Sequence, residues 1–430
     1  MMDNSQQYSW QKHKILLLAC IILGVFLNHS NVIFGLNMSF ADFIILFLFF
    51  YLTYNEKLTI PLAPLIFFIA ISVVVLFTSF FFTPNIFQVT TEPIRSISGY
   101  LKLLALFMFF VVGYNLSKVN MVETIIKSYS IAAVVISAIG VTFYTLNINI
   151  FSDALYYAGT RYRGLMNDPN YFSILQITAL VYITRFRGLN LKFKYVATIL
   201  LGLGVVVSSS KTGMIVLGLY IALRVLEYIF FEERSVKKVI YSAIFFIFAT
   251  LFILSYQNIM DGTFSIIVNY IPTFSRVEAL FLDFNSAISE GGSGRSEAWG
   301  TALKLIALSP LIGIGVGNYT LISSHYFGVG TLAHNTYLQF FVEFGLPLGT
   351  FFFATIFFLI LKSSKKYNDS NINTIKVLRD IIIVLLLGSI AISLNNARIF
   401  WLALGALMYY LKNSNIKSTK WRHRGSETFM

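Results

Sequence analysis

Charge and cysteine are both scarce in this sequence. Asp, Glu, Lys and Arg make up 12% of its 430 residues, about half the roughly 25% of an ordinary soluble domain. That shortage argues against a soluble globular chain. The single cysteine, Cys20, excludes an intrachain disulfide, so no covalent staple holds the fold. The sequence has no H-E-x-x-H, no D-x-D and no Cys/His cluster, which leaves metal chemistry without a motif to carry it. It has no G-x-S-x-G either, which leaves a serine hydrolase unsupported. Internal repeats and low-complexity tracts are missing too, so the inverted-repeat plan of many transporters has no support.

Apolar residues are what the chain has in abundance, at 57%, and they come in blocks. Many blocks have the length of about 17–25 residues that crosses a bilayer as helix. They are apolar on every face, which excludes the alternation of a membrane β-barrel. The expected fold is an all-α polytopic membrane protein with about twelve transmembrane helices. The spans are expected near 15–33, 39–54, 61–82, 98–116, 123–145, 170–184, 195–209, 213–231, 237–256, 337–361, 376–394 and 396–412. This divides the chain into nine spans within 1–256, a large loop at 257–336, three further spans within 337–412 and a basic tail at 413–430. The first block follows Lys12 and Lys14 and lacks a small-residue cleavage site, so it reads as an uncleaved signal anchor.

The net charge of +13 follows the positive-inside rule and does not point to nucleic acid. With the N-terminus in the cytoplasm, inside segments hold Lys57, Lys118, the Arg185–Lys194 cluster, Arg234, Lys237, Lys362 and the tail "KSTKWRHRG". An even number of spans returns the C-terminus to the cytoplasm, where the tail can rest on anionic head groups. Outward cations are then few: Arg95, Arg161, Arg163, Lys211, Arg276, Arg295, Lys304 and Arg398. Five of these eight lie in the two long outside segments, 146–169 and 257–336. Long loops with internal structure commonly carry function.

The stretch "TLAHNTYLQFFVEFGLPLG" (331–349) closes the larger loop. Thr336 and Gln339 stand at capping-box spacing, so a helix is expected to start near 336 with His334 just before it. The positive end of that helix favours a neutral imidazole able to accept a proton, and its free N–H groups suit a phosphate. An interfacial polar residue capping a span is the plainer alternative for His334. Glu343 lies nine residues on, roughly opposite in helical phase at about 100° per residue. An interhelical pair is expected for it, because an acid inside a span needs a partner.

Three other stretches offer cations. "GGSGRSEAWGTALKLIALSP" (291–310) reads as a Gly-rich start and an amphipathic helix whose apolar face is Trp299, Ala302, Leu303 and Ile306. Arg295 sits at its beginning, with a planar fork of donors suited to phosphate. "RYRGLMNDPNYFS" (161–173) sets Arg161 and Arg163 before a turn, where they can bind lipid phosphate or pair with Asp153 and Asp168. "SSSKTG" (208–213) resembles the tail of a P-loop, but Ser210 replaces the glycine and the expected topology puts it outside, away from ATP. Lys211 is instead a candidate phosphate contact. One potential base and several cations beside a membrane suit transfer from a lipid-linked pyrophosphate, with the base activating an acceptor hydroxyl and the cations stabilising the departing phosphate.

These stretches, with "PLIGIGVGNY" (310–319), resemble in order and spacing the O-antigen ligase and O-antigen polymerase superfamily of bacterial membrane proteins. The likeness covers 161–349 by motif and the rest by span count. It implies a C-type glycosyltransferase working on the outer face of the inner membrane. The donor would be a glycan on undecaprenyl pyrophosphate, and no cofactor and no metal would be required. By this resemblance His334 looks like the catalytic histidine and Arg295 like the arginine of the "GR" motif. Arg161, Arg163, Lys211 and Arg276 are the candidate pyrophosphate contacts. Lys211 departs from the arginine common at its place, which replaces a bidentate contact with a point charge. Implied partners are the lipid-linked donor, a glycan or lipid-linked acceptor, membrane lipids and a chain-length regulator. The motifs leave polymerase and ligase open; the wide occurrence of polymerases in capsule and exopolysaccharide clusters favours the first. A transporter of lipid-linked glycans would need charges spread through several spans, whereas the interior ones are chiefly Asp42, Lys102 and Glu343. A structural partner in an export complex would not need His334.

Overall fold

The computed structural model describes residues 4–33, 36–146, 148, 150–186, 188–231, 295–364 and 371–426. The expected ninth span (237–256) and Arg276 lie outside the described residues, as does the first half of the expected large loop. Helix dominates. The strands among the described residues are two short antiparallel hairpins, Asn31–Ile33 with Leu36–Met38 and Tyr156–Tyr157 with Arg161–Tyr162.

Each of the other expected spans falls on a helix, yet among the described residues five helices are long and apolar enough to cross a membrane. These are Leu62–Phe87, Pro93–Lys118, Val122–Thr145, Lys211–Ile229 and Leu346–Ser363. Length is one reason for the smaller number. Phe40–Tyr54 has 15 residues and Pro169–Arg185, Leu191–Val207 and Ile372–Gly388 have 17 each. At 1.5 Å per residue these reach roughly 22–26 Å, short of a hydrocarbon core of about 30 Å. The first block ends sooner than expected, its helix stopping at Phe26 before the hairpin at 31–38.

The expected span 337–361 is two helices, Thr336–Phe344 and Leu346–Ser363, broken at Gly345. Gly345 has φ +80°, and a Cβ there would lie 2.3 Å from the Leu311 carbonyl oxygen. Pro347 follows near the start of the second helix. A continuous helix would set its ring against the Glu343 carbonyl and leave that carbonyl without a donor. The break frees the Glu343 carbonyl to accept from the Gly315 N–H at 3.1 Å. The face of the Arg295–Leu308 helix also differs from expectation. Ala298, Thr301, Ala302, Leu305 and Ile306 are its buried residues, while Leu303 is 58% exposed.

The chain divides into two compact units. The first comprises Met1–Val135, Thr178–Thr198 and Gly294–Met430. Its centre is the pairing of Pro93–Lys118 with the helix that begins at Arg398. Their backbones approach closely because each supplies a glycine. A Cβ on Gly113 would lie 2.3 Å from the Leu402 carbonyl oxygen, and one on Gly405 would lie 2.0 Å from that of Phe110. Small residues allow this approach in a membrane, where apolar burial does not drive helices together. Arg398 donates two hydrogen bonds to the Asp42 carboxylate at 2.6 and 2.7 Å. Asp42 also accepts from the Ser39 N–H in the capping box of the Phe40–Tyr54 helix. A second buried cluster sets Arg185 and Arg379 against Asp380.

The second unit comprises Ile136–Ile177 and Ile199–Ser293, described here as far as residue 231. Tyr162 anchors its short hairpin: the ring lies against Gly140, and the hydroxyl donates to the Ile136 carbonyl at 2.9 Å.

Gly113→Ala and Gly405→Ala each force a methyl group into a facing backbone, so each is expected to lower stability by about 1–3 kcal/mol. Gly218→Ala, at a helical glycine with nothing within 4 Å of its Cβ position, should be neutral or stabilising by up to about 1 kcal/mol. Thermal unfolding of the purified protein in detergent checks the contrast.

Candidate functional site

His334 is exposed and has φ +47°, in the left-handed region that a residue with a Cβ seldom adopts. It stands one residue outside a helix whose N-cap is Asn335, not Thr336. The Asn335 side chain accepts from the Leu338 N–H at 3.1 Å. Thr336 is occupied elsewhere: its N–H donates to Ser389 O, its hydroxyl donates to Ile392 O, and its oxygen accepts from Leu394 N. Two N–H groups of the first turn are therefore already engaged, so the helix start is not the open phosphate cradle that sequence spacing suggested. The histidine is presented by a strained turn, locked to 389–394 through its C-terminal neighbours.

The C-terminal end of this nine-residue helix rests on the glycine-rich stretch 313–317. Ile314 N–H donates to Val342 O at 2.9 Å, beside the Gly315 to Glu343 bond. Gly313, Gly315 and Gly317 have φ values of +70°, +74° and +83°. Their Cβ positions would lie 2.7 Å from the Glu343 backbone, 2.3 Å from Ser79 Oγ and 2.7 Å from the Arg95 backbone respectively. Thr83 Oγ1 donates to Ile314 O at 2.8 Å and Ser79 Oγ donates to Val316 O. Ser79 lies in a π-helical turn, Thr78–Phe82, and Thr83 directly follows it; the turn interrupts the Leu62–Phe87 helix. The "PLIGIGVGNY" stretch is thus a backbone strap.

Arg295 is half-buried at the first residue of the Arg295–Leu308 helix, which packs against Thr336–Phe344. Both helices share an apolar cluster with the strap, through Ala302, Leu305, Ile306, Ile314, Ala333 and Val342. The structure therefore brings the elements carrying Arg295 and His334 onto one core.

The same unit holds a polar cavity of about 480 Å³. Gln339 and Glu343 supply one wall, Arg95 and Lys102 another, and Tyr319, Asn395, Asn396 and Trp401 close it. Gln339 Nε2 donates to Glu343 Oε1 at 2.9 Å, so the expected interhelical acid pair is first of all a bond within one helix. That helix spans roughly 14 Å at 1.5 Å per residue, too short to cross a bilayer. Burial pushes the Glu343 carboxyl up to about 7, while the Gln339 hydrogen bond and the Lys102 charge pull it down. Two buried polar atoms of residues lining the cavity, Tyr319 OH and Gln339 Oε1, have no hydrogen-bond partner. The sequence marked Lys102 and Glu343 as interior charges, with an interhelical partner expected for Glu343, and missed Gln339, Tyr319, Asn395, Asn396 and Trp401 as a set. The "NN" at 395–396, between two apolar blocks, was the available signal.

Arg161, Arg163 and Lys211 belong to the second unit. Arg161 is buried; its Nε donates to Ser208 O at 3.3 Å and its NH2 to Asn170 Oδ1 at 3.0 Å. Ser210 donates to the same Asn170 oxygen at 2.8 Å. Arg161 is thereby tied to the "SSSKTG" turn, which ends where Lys211 opens the Lys211–Phe231 helix. Arg163 donates to the backbone carbonyls of Asp153 and Asn167, and the Asp168 carboxylate accepts from the N–H groups of Asn170 and Tyr171 at a helix start.

The buried Glu343 carboxyl keeps its proton over a pH range where the unfolded one has lost it. Its folded value is raised, so this group makes the fold less stable as pH climbs from about 4.5 to about 7, and the loss levels off above that. Glu343→Gln keeps an acceptor for Gln339 and cannot ionise. The melting temperature of wild type relative to this variant is expected to fall between about pH 5 and 7.5, as scanning fluorimetry will read.

Comparison with known proteins agrees with the motifs. No curated protein matches the chain. The family model described as O-antigen ligase matches residues 196–353. The match takes in Lys211, Arg295, the strap, His334 and Glu343, and leaves out Arg161, Arg163 and Lys102. By this match the segment 196–353 is similar to the O-antigen ligase family, in agreement with the resemblance of the motifs.

Proposed function

We propose that the chain is a multi-pass glycosyltransferase of the bacterial cytoplasmic membrane that joins undecaprenyl-pyrophosphate-linked oligosaccharide repeat units into O-antigen, capsule or exopolysaccharide. The observation that carries this reading is the family match over the segment in which Arg295 and an exposed, strained His334 stand on one core. In the proposed topology about twelve helices cross the membrane, both termini are cytoplasmic and the site opens on the outer face. A chain-length regulator is the proposed protein partner.

In the proposed reaction His334 takes the proton of an acceptor hydroxyl as its oxygen attacks the anomeric carbon of the donor sugar. The bond from that carbon to the pyrophosphate oxygen breaks, and the pyrophosphate leaves with the electron pair. Arg295, Lys211, Arg161, Arg163 and Arg276 are the proposed charges that meet it, in place of a metal ion. Lys211 acts there as a point charge. A second reading, transfer of the finished glycan to lipid A core, is favoured by the description of the matching family as O-antigen ligase.

The test is complementation of a strain lacking the gene, with surface glycan resolved on a gel. His334→Ala should lower chain formation by about 100-fold to 10,000-fold, the range of a lost general base. Arg295→Lys should retain more activity than Arg295→Ala. Single repeats on core without long chains indicate a polymerase; lipid-linked chains accumulating with no attached glycan indicate a ligase. Wild-type glycan in both alanine variants would overturn the assignment.

A further inference from the structure

Besides the polar cavity, the first unit holds an apolar one of about 180 Å³. Six phenylalanines are among its lining residues, so it offers a ligand contact area and almost no hydrogen bonds. An apolar cavity of about 150 Å³ engineered into another protein stays dry and takes up a hydrocarbon ligand. The walls here come from the helices Leu62–Phe77, Pro93–Lys118 and Leu346–Ser363 and from the helix beginning at Arg398. Ala63, Phe351 and Thr355 line the cavity and are also exposed on the outside of the bundle. They stand on helices long and apolar enough to cross a membrane. In a bilayer that outside meets hydrocarbon chains, so the cavity is a recess that a chain can enter from the side.

The stripes that line the recess run on into lysines. On Pro93–Lys118, Phe107 lines it and Lys118 follows eleven residues on, along the same helical face. On the helix beginning at Arg398, Leu404 and Met408 line it and Lys412 continues the four-residue spacing. On Leu346–Ser363, Leu359 lines it and Lys362 comes three residues later. These helix ends are joined to one another. Thr59, which precedes the helix of Ala63, donates its N–H to Asn115 Oδ1 at 2.9 Å and accepts from Asn115 Nδ2 at 2.8 Å. The rings of Tyr114 and Tyr409 meet edge to face at 5.4 Å. Lys118 Nζ donates to Asn115 Oδ1 at 2.6 Å and to Thr59 Oγ1, so its bonds hold it in place through neutral oxygens. Lys412 is exposed and close enough for its charge to act on Lys118. Cations gathered at the mouth of an apolar recess raise the local concentration of an anion, and basic recesses between membrane helices bind anionic lipid head groups.

This end of the bundle is remote from the candidate site. Lys362 stands sixteen residues beyond Leu346, where the helix leaves the break at Gly345, a distance of roughly 24 Å at 1.5 Å per residue. We infer that the recess holds one anionic phospholipid of the surrounding bilayer, with a hydrocarbon chain among the phenylalanines and its phosphate between Lys118 and Lys412. In the proposed topology this is the cytoplasmic leaflet, opposite to the leaflet that faces His334. The lipid is neither donor nor acceptor, so the inference stands apart from the glycosyl-transfer reading. Its effect is to brace four helices by filling the space between them. Phe352 in the wall stacks on Phe340 at 4.7 Å, so the filled recess also supports the Thr336–Phe344 helix.

The test is native mass spectrometry of the full chain in neutral detergent, which counts the lipids that stay bound. Phosphatidylglycerol, phosphatidylcholine, glycerol phosphate and undecaprenyl phosphate are titrated separately and in competition. One phosphatidylglycerol is expected to bind ahead of any further copy and ahead of phosphatidylcholine. Glycerol phosphate, which has no chains, should not displace it. Lys118→Gln and Lys412→Gln should each weaken this first binding about fivefold, and Lys412→Arg should keep it. Ala63→Phe, which sets a ring in the recess, should also weaken it. A variant with Lys417→Gln and Lys420→Gln lowers the charge of the basic tail and should leave it unchanged. Melting temperatures in phosphatidylcholine show that each variant is folded. Phosphatidylglycerol should raise the melting temperature of wild type and not that of the Lys118→Gln, Lys412→Gln double variant. Equal binding of the two phospholipids, binding unchanged in both lysine variants, or loss of it in the tail variant would overturn the inference. So would tighter binding of undecaprenyl phosphate at these lysines, because the occupant would then be a carrier lipid.

Discussion

The site depends on one constraint, the passage of the backbone at 313–317 between three neighbours that leave no room for side chains at its glycines. Gly313 faces the backbone of Glu343, Gly315 the π-helical turn at Thr78–Phe82, and Gly317 the backbone of Arg95. All three have positive φ, so conformation and space both demand glycine. The strap's N–H and C=O groups are bonded to the elements it touches, as buried backbone requires. Because it touches all three, it fixes the ends of the helices whose side chains line the polar cavity.

From that constraint the break at Gly345 acquires its meaning. A straight span through 336–361 would carry the Glu343 carbonyl inside a helix. The break releases the carbonyl to the strap and turns a membrane helix into a short helix plus a spanning one. Gln339 and Glu343 are then presented sideways to Lys102, and His334 stands at the opposite end in a strained turn. Histidine and acid thus face different places, His334 just before the nine-residue helix and Glu343 near its far end.

Charges elsewhere are matched with similar economy. Asp42, conspicuous in sequence as an acid in an apolar block, both caps its helix and pairs with Arg398. Arg185, Arg379 and Asp380 form a second buried group. Paired charges of this kind are poor evidence of function, since removing one partner is costly whatever the site does. Lys102 and Glu343 differ because a cavity lies beside them.

The sequence by itself determined the mostly helical class, the positions of most helices and the family likeness of 196–353, because apolar block length and motif order are local properties that need no partner. It also located His334 just outside a helix beginning at 336. It erred where a local pattern has two tertiary outcomes. The Thr336/Gln339 spacing reads as a capping box, but Thr336 finds partners at 389–394 and Asn335 caps instead. Leu303 has helical periodicity with Ala302 and Ile306 but is exposed, because the apolar cluster takes the Ala298/Ala302/Leu305 side. The glycines at 313, 315 and 317 signal tight backbone without saying what approaches it. Only the tertiary structure decided the strap, the π-helical turn that receives it and the cavity joining Lys102 to Glu343 across 241 positions of chain. Contacts between residues so distant in sequence are properties of packing, and no local pattern encodes them.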